Sequence, residues 1–157
     1  MRHAKAEMAE LLQQDFDRNL SDKGMHDAKE MGSRLLQKNI GIDLIVCSAA
    51  KRTHKTAKLV ASVIGYNPEH ILREYDLYES DSNEMLHVIR SFDDKYNTVL
   101  LVAHNPTITG MVGLLTASFA DNMSTAAQAH ITFNIPTWKL VANGIGSLTW
   151  VDSPKNM

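Results

Sequence analysis

Arginine and histidine stand in three short polar clusters of this chain, and together their chemistry is that of anion handling. Arg2-His3-Ala4-Lys5 opens the sequence, Ser48-Ala49-Ala50-Lys51-Arg52-Thr53 follows one apolar run, and His104-Asn105-Pro106-Thr107 follows another. A guanidinium offers a fork of donors to carboxylate or phosphate, and an imidazole can serve as nucleophile, proton carrier or hydrogen-bond partner near neutral pH. Arg2, His3, Arg52 and His104, brought to one place, would suit a dianionic phosphoryl group. Taken singly, each has a duller reading: a lone histidine beside a strand is more often structural, and a lone arginine at a helix start is more often a surface charge. The recurrence of both types at helix starts that follow strands is what raises the functional reading.

Those junctions come from hydrophobic periodicity. After Ser21, an N-cap candidate, Met25, Ala28, Gly32, Leu35 and Leu36 share a helical face, and 39–41 supplies the stop. Asp43-Leu44-Ile45-Val46-Cys47 reads as a short buried strand. Helix resumes over 50–64, with Ala57, Val60, Ala61 and Ile64 on one stripe and Gly65 just beyond. Residues 71–74 form a weak strand, and Asp81 with Glu84 makes a capping-box start for a helix carrying Met85, Leu86, Ile89 and Phe92. Thr98-Val99-Leu100-Leu101-Val102-Ala103 is the clearest strand, uncharged throughout, as a strand covered on both faces requires. Asn105-Pro106 reads as an N-cap with proline at the first helical position, opening a helix that runs to about Phe119. Two late strands are expected over 129–135 and 146–151. Strands alternating with helices predict an α/β domain with a mostly parallel central sheet flanked by helices. In such sheets ligands bind beyond the carboxyl ends of the strands, where a helix N-terminus also favours anions.

Composition narrows the classes. The 157 residues suit one domain, read here as 1–157 without repeats, low-complexity tracts or linkers. Sixteen Lys and Arg against eighteen Asp and Glu leave a net charge of −2, which argues against a general nucleic-acid or polybasic membrane binder. The lone cysteine, Cys47, excludes an internal disulfide framework and a Cys-rich metal site and fits a reducing compartment. No apolar run approaches the roughly 18 residues of a membrane helix, and no leader-like segment opens the chain. The expectation is a cytoplasmic protein, with neither membrane nor nucleic acid as partner.

The ordered set of motifs resembles the histidine phosphatase superfamily, and within it the small phosphohistidine phosphatases of the SixA type. Arg2-His3-Ala4 looks like the Arg-His signature, and Asp15-Phe16-Asp17-Arg18-x-Leu20-Ser21-x-Lys23-Gly24 resembles the segment that follows it. Ser48-x-x-x-Arg52-x-x-x-Thr56-Ala57 is similar to the second arginine motif, and Val102-Ala103-His104-Asn105-Pro106 to the second histidine motif. Ser124-Thr125-Ala126-Ala127, Trp138 and Asp152-Ser153-Pro154-Lys155 extend the likeness over essentially the whole chain. One departure stands out: the family delivers its Arg-His motif from an N-terminal strand, and here Met1 immediately precedes the motif. The expectation is therefore that a first strand is missing or trimmed and that the true start lies upstream.

The resemblance implies a three-layer, phosphoglycerate mutase-like sandwich and a phosphatase that needs no metal or cofactor. His3 would be the nucleophile and carry a transient phosphohistidine. Arg2, Arg52 and His104 would hold the non-bridging oxygens, and Arg18 would be a further phosphate-side arginine. The proton donor stays open between Asp76, Glu79 and none. Short connections at 66–70 and 75–80 leave no lid-length insertion, which favours an open site and phosphohistidine on a protein as substrate. Small phosphorylated metabolites and a non-catalytic phospho-ligand-binding domain are the alternatives. A cysteine phosphatase needs Cys-x₅-Arg, and Cys47 to Arg52 is one residue short, so Cys47 is expected to be a core thiol.

Overall fold

The computed structural model describes residues 1–118 and 121–156. Helix α1 (Asp22–Gln37) leads to strand β1 (Leu44–Ser48), helix α2 (Lys51–Ile64) and the short strand β2 (Leu72–Glu74). Helix α3 (Ser82–Arg90), strand β3 (Val99–Val102) and helix α4 (Thr107–Thr116) follow, and strands β4 (Gln128–Phe133) and β5 (Gly146–Asp152) close the fold. β1 lies between β2 and β3, parallel to both, with Val46 opposite Leu72 and Leu101. All of β1 is buried. Its alternation sorts the side chains onto two faces. Ile45 and Cys47 pack with α1 and α2, while Leu44 and Val46 pack with α3 and α4. Two cores on opposite faces of one sheet make the three layers that the uncharged strand sequences require.

Local signals read from the sequence hold at several ends. Ser21 caps α1 by accepting from the Gly24 amide, Gly65 takes the left-handed conformation at φ 76° after α2, and Asp81 and Glu84 complete a reciprocal capping box on α3. Two differ. α4 begins at Thr107 with Pro106 in the cap position, because the Asn105 Oδ1 that would cap it accepts instead from Thr109 Oγ1 at 2.6 Å, while its amide donates to Asn122 Oδ1 at 2.7 Å and to the Met123 carbonyl at 3.0 Å. The helix also stops at Thr116, with Ala117 left-handed at φ 53°; Phe119, where the sequence placed its end, lies outside the described residues. The last two strands run antiparallel to each other, with a register shift between His130 and Ile131. Hydrophobic alternation carries no information on strand direction, so this could not be read from the residues.

The amino-terminal residues bring the two sheets together. The His3 amide donates to the Ala103 carbonyl, the Arg2 amide to the Ala127 carbonyl, and the Ala126 amide to the His3 carbonyl, at 3.0, 3.0 and 3.1 Å. Residues 1–3 thus take a strand's place beside β3, with Arg2 bridged in parallel to Ala103. Ala4, fully buried, donates its amide to Thr56 Oγ1 at 3.0 Å, which ties the segment to α2. Gly24 meets it from α1, where a Cβ would lie 2.1 Å from the Lys5 carbonyl oxygen. Glycine is required there by this close approach.

Candidate active site

Every arginine and histidine singled out at a strand end arrives at one edge of the sheet. His3 ends the amino-terminal extended segment, His104 follows Ala103 just past β3, and Arg52 lies in the first turn of α2 after β1. The His3 and His104 rings meet edge to face with centroids 5.2 Å apart. Arg52 Nη2 lies 3.2 Å from His104 Nδ1. Four positions spread over the sequence therefore converge because parallel strands all end on the same side.

Tautomers follow from the partners. His3 Nδ1 lies 2.7 Å from the Ala4 carbonyl oxygen, which can only accept, so Nδ1 carries the proton and Nε2 keeps its lone pair. Desolvation, partly opposed by that hydrogen bond and reinforced by the charges of Arg52, Arg2 and Arg18, lowers the His3 pKa to about 4. The ring is neutral and nucleophilic at pH 7. Arg52 can only donate, so His104 Nδ1 accepts from it and Nε2–H points to Ser48 Oγ at 2.7 Å. Burial first, then Arg52 and His3, push the His104 pKa down to about 3.

Arg52 is 6% exposed, and besides His104 its guanidinium is held by Asp15. Nη1 donates to the Asp15 carbonyl at 2.7 Å and Nη2 to Asp15 Oδ2 at 2.9 Å. Tyr78 O–H donates to the same Oδ2 at 3.0 Å, and Arg18 Nη1 to Oδ1 at 3.1 Å. Burial would raise the Asp15 pKa, but the bonds from Arg18 and Tyr78 and the charge and bond of Arg52 outweigh it and hold it at about 2. Arg2 is anchored by Nη1 to the Met123 carbonyl at 2.9 Å. Among the described residues, the Nε–H groups of both Arg2 and Arg52 are buried without a partner. An orphaned buried guanidinium donor is costly.

Arg18 stands differently. Its Nε and Nη2 donate to the Glu7 carbonyl at 2.9 and 2.7 Å, and with Nη1 on Asp15 it sits at the rim. Of the two candidate proton donors, Glu79 lines the cleft beside His104, Asn105 and Thr107, while Asp76 is exposed and outside that lining. Cys47 is fully buried, and desolvation raises its thiol pKa to about 12, which removes it as a nucleophile. Asp15, Ser48 and Tyr78 belong to the edge without having been picked out as functional. Ser48 stood inside the polar cluster after β1 and Asp15 three residues before Arg18, so both had a weak signal. Tyr78 had none.

A parallel sheet whose carboxyl edge brings two neutral imidazoles against the buried Arg52 suits the handling of a phosphoryl group. The chain belongs to the histidine phosphatase superfamily, branch 1, whose family model matches residues 1–96. An uncharacterised protein of Mycobacterium leprae, ML1117, is 32% identical over 140 residues, covering 87% of this chain and 82% of the relative. A Nakamurella multipartitia protein described as a SixA phosphohistidine phosphatase is 26% identical and superposes with a TM-score of 0.80, over 99% of this chain and 94% of the other. The protein histidine phosphatase SixA, solved with tungstate, shares the fold at 22% identity and a TM-score of 0.82, covering 98% and 94%.

Proposed function

We propose that this phosphatase removes phosphate from phosphohistidine on a protein, by way of a phosphohistidine formed at His3. The observation that carries the reading is the state of His3: its Nδ1–H is committed to Ala4, which leaves the Nε2 lone pair free, and the charges of Arg52 and Arg2 act on the ring. Nε2 attacks phosphorus in line as the substrate's P–N bond breaks, and the bonding pair stays on the substrate imidazole. That ring leaves neutral when its other nitrogen already carries a proton. Water then attacks phosphorus, the pair returns to His3 Nε2, and inorganic phosphate departs. Arg2 and Arg52 supply the fixed positive charge for the non-bridging oxygens, and neutral His104 can add its Nε2–H, which rests on Ser48 Oγ. Losing one such preorganised donor typically costs about 10²–10³ in rate. Arg18 acts from the rim through Asp15, which orients Arg52.

No step requires a metal or a cofactor, because the arginines neutralise the phosphoryl charge. Among the described residues, the carboxyl group bonded to Arg52 is that of Asp15, held ionised with its pKa lowered to about 2 and so no proton donor; this favours an imidazole leaving group over an alkoxide, since protonating an alkoxide by a positioned acid typically contributes about 10²–10⁴-fold. Comparative turnover of a histidine-phosphorylated protein, a phosphoserine peptide and a sugar phosphate tests the reading. The first should be fastest, and rapid-quench labelling should trap phosphate on His3. Equal or better turnover of the sugar phosphate would overturn the substrate assignment, and phosphate binding without release would overturn the enzymatic one.

A further inference from the structure

Among the described residues, the four most exposed large apolar side chains are Leu12, Leu11, Met8 and Tyr75, at 96%, 94%, 89% and 67%. All four lie on the two segments that border the phosphate-handling edge. Leu11, Leu12 and Met8 belong to the loop 7–18, whose base is latched by the Glu7 amide on the Asn19 carbonyl at 2.9 Å and by Arg18 on the Glu7 carbonyl. The same loop delivers Asp15 to Arg52. Tyr75 follows β2 and stacks on Phe16 of the loop with centroids 6.3 Å apart. Phe16 meets Tyr78 at 5.0 Å, and Tyr78 meets His104 at 5.7 Å. An aromatic wall therefore runs from the loop to the site itself.

The loop is built, with its own internal bonds. The Gln13 amide donates to the Glu10 carbonyl and the Glu10 amide to Gln13 Oε1, both at 3.0 Å, closing a turn with Leu11 and Leu12 at its two corners. Leu12 sits at φ 65°, in the left-handed region. Glycine or asparagine is the residue such a corner favours, so leucine there meets backbone strain and gains no burial in exchange. Two bulky apolar residues held out by an ordered turn, next to a site, are the pattern of a contact surface.

We propose that the turn 10–13 and the Phe16–Tyr75–Tyr78 wall form the docking surface for the folded protein that carries the phosphorylated side chain, an assignment that rests on the protein-substrate reading above. The occupant must present an apolar patch beside its phosphohistidine. A small phosphorylated metabolite anchored at His3 has no surface to spend on the loop tip. A second copy of this chain seated there would cover the mouth of the site and block its own turnover.

The test compares kcat and KM for a folded histidine-phosphorylated protein and for free phosphohistidine, in the wild type and in the double variant Leu11→Ser/Leu12→Ser. Both side chains are almost fully exposed, so thermal unfolding should be unchanged. The wild type should prefer the protein substrate, and the variant should raise KM for it by about tenfold, as for loss of interface anchors, with kcat little altered. Parameters for free phosphohistidine should not move. A variant that keeps its preference for the protein, a wild type that has none, or a matching loss on free phosphohistidine would overturn the docking surface. Failure of the wild type to turn over either substrate would instead overturn the phosphohistidine reading beneath it. A concentration-dependent dimer that the double variant abolishes would assign the patch to a second copy.

Discussion

Two concave regions of this molecule lie at opposite characters of surface. One is the carboxyl edge, where the His3 and His104 rings meet under the charges of Arg52 and Arg2. The other is an apolar groove of about 350 Å³ between β3 and β4, lined by Met1, Leu101, Met111, Ile131, Phe133 and Trp138. The groove is the better enclosed for an apolar guest, yet it holds no nucleophile and no cation pair. Its acidic side chain, Asp94, is engaged in the fold, with Oδ1 accepting from the Trp138 amide at 2.8 Å. Chemistry is marked by groups left electrically unfinished, such as an orphaned Nε–H or an imidazole kept neutral, and enclosure by itself does not mark it.

The largest effect should come from removing the proposed nucleophile. His3→Ala should lower turnover by about 10³-fold or more with thermal unfolding nearly unchanged, because a cleft side chain and not a core one is lost. Near-normal release of phosphate would place the nucleophile elsewhere. Next is the support under that residue. Gly24→Ala would put a methyl carbon 2.1 Å from the Lys5 carbonyl oxygen, so backbone must move; about 3 kcal/mol of stability should go, read by denaturant unfolding. Activity should fall with it, since Lys5 and Ala4 carry His3. Full stability in that variant would mean that the segment is not held by this approach.

A third prediction uses acidity. With its pKa lowered to about 4, His3 stays neutral well below the usual imidazole range. At pH 5.5 the enzyme should be about tenfold more active, relative to its plateau, than an imidazole of pKa about 6.5 would allow. An acid limb of kcat/KM centred near 6.5 would contradict the burial argument.

Much of this was legible in the residues. The strands that lie under both helical layers announced themselves by lacking charge, the caps at Ser21 and Asp81 by their side chains, and Arg52 and His104, which meet at the sheet edge, by type and by position after a strand. Those are local properties, set by periodicity of 2 or 3.6 residues and by short-range hydrogen bonds. Three things were settled only by the folded chain. Asp15 became the partner of Arg52 because the loop 7–18 closes on itself and leans on α2, a contact across 37 residues. Arg18 faces the rim for the same reason. The neutral state of His3 and His104 depends on burial and on neighbouring guanidinium groups, and desolvation is a property of packing that no residue carries by itself. The motifs determined which groups could meet a phosphoryl group, while the tertiary structure decided their protonation, their partners and the direction each one faces.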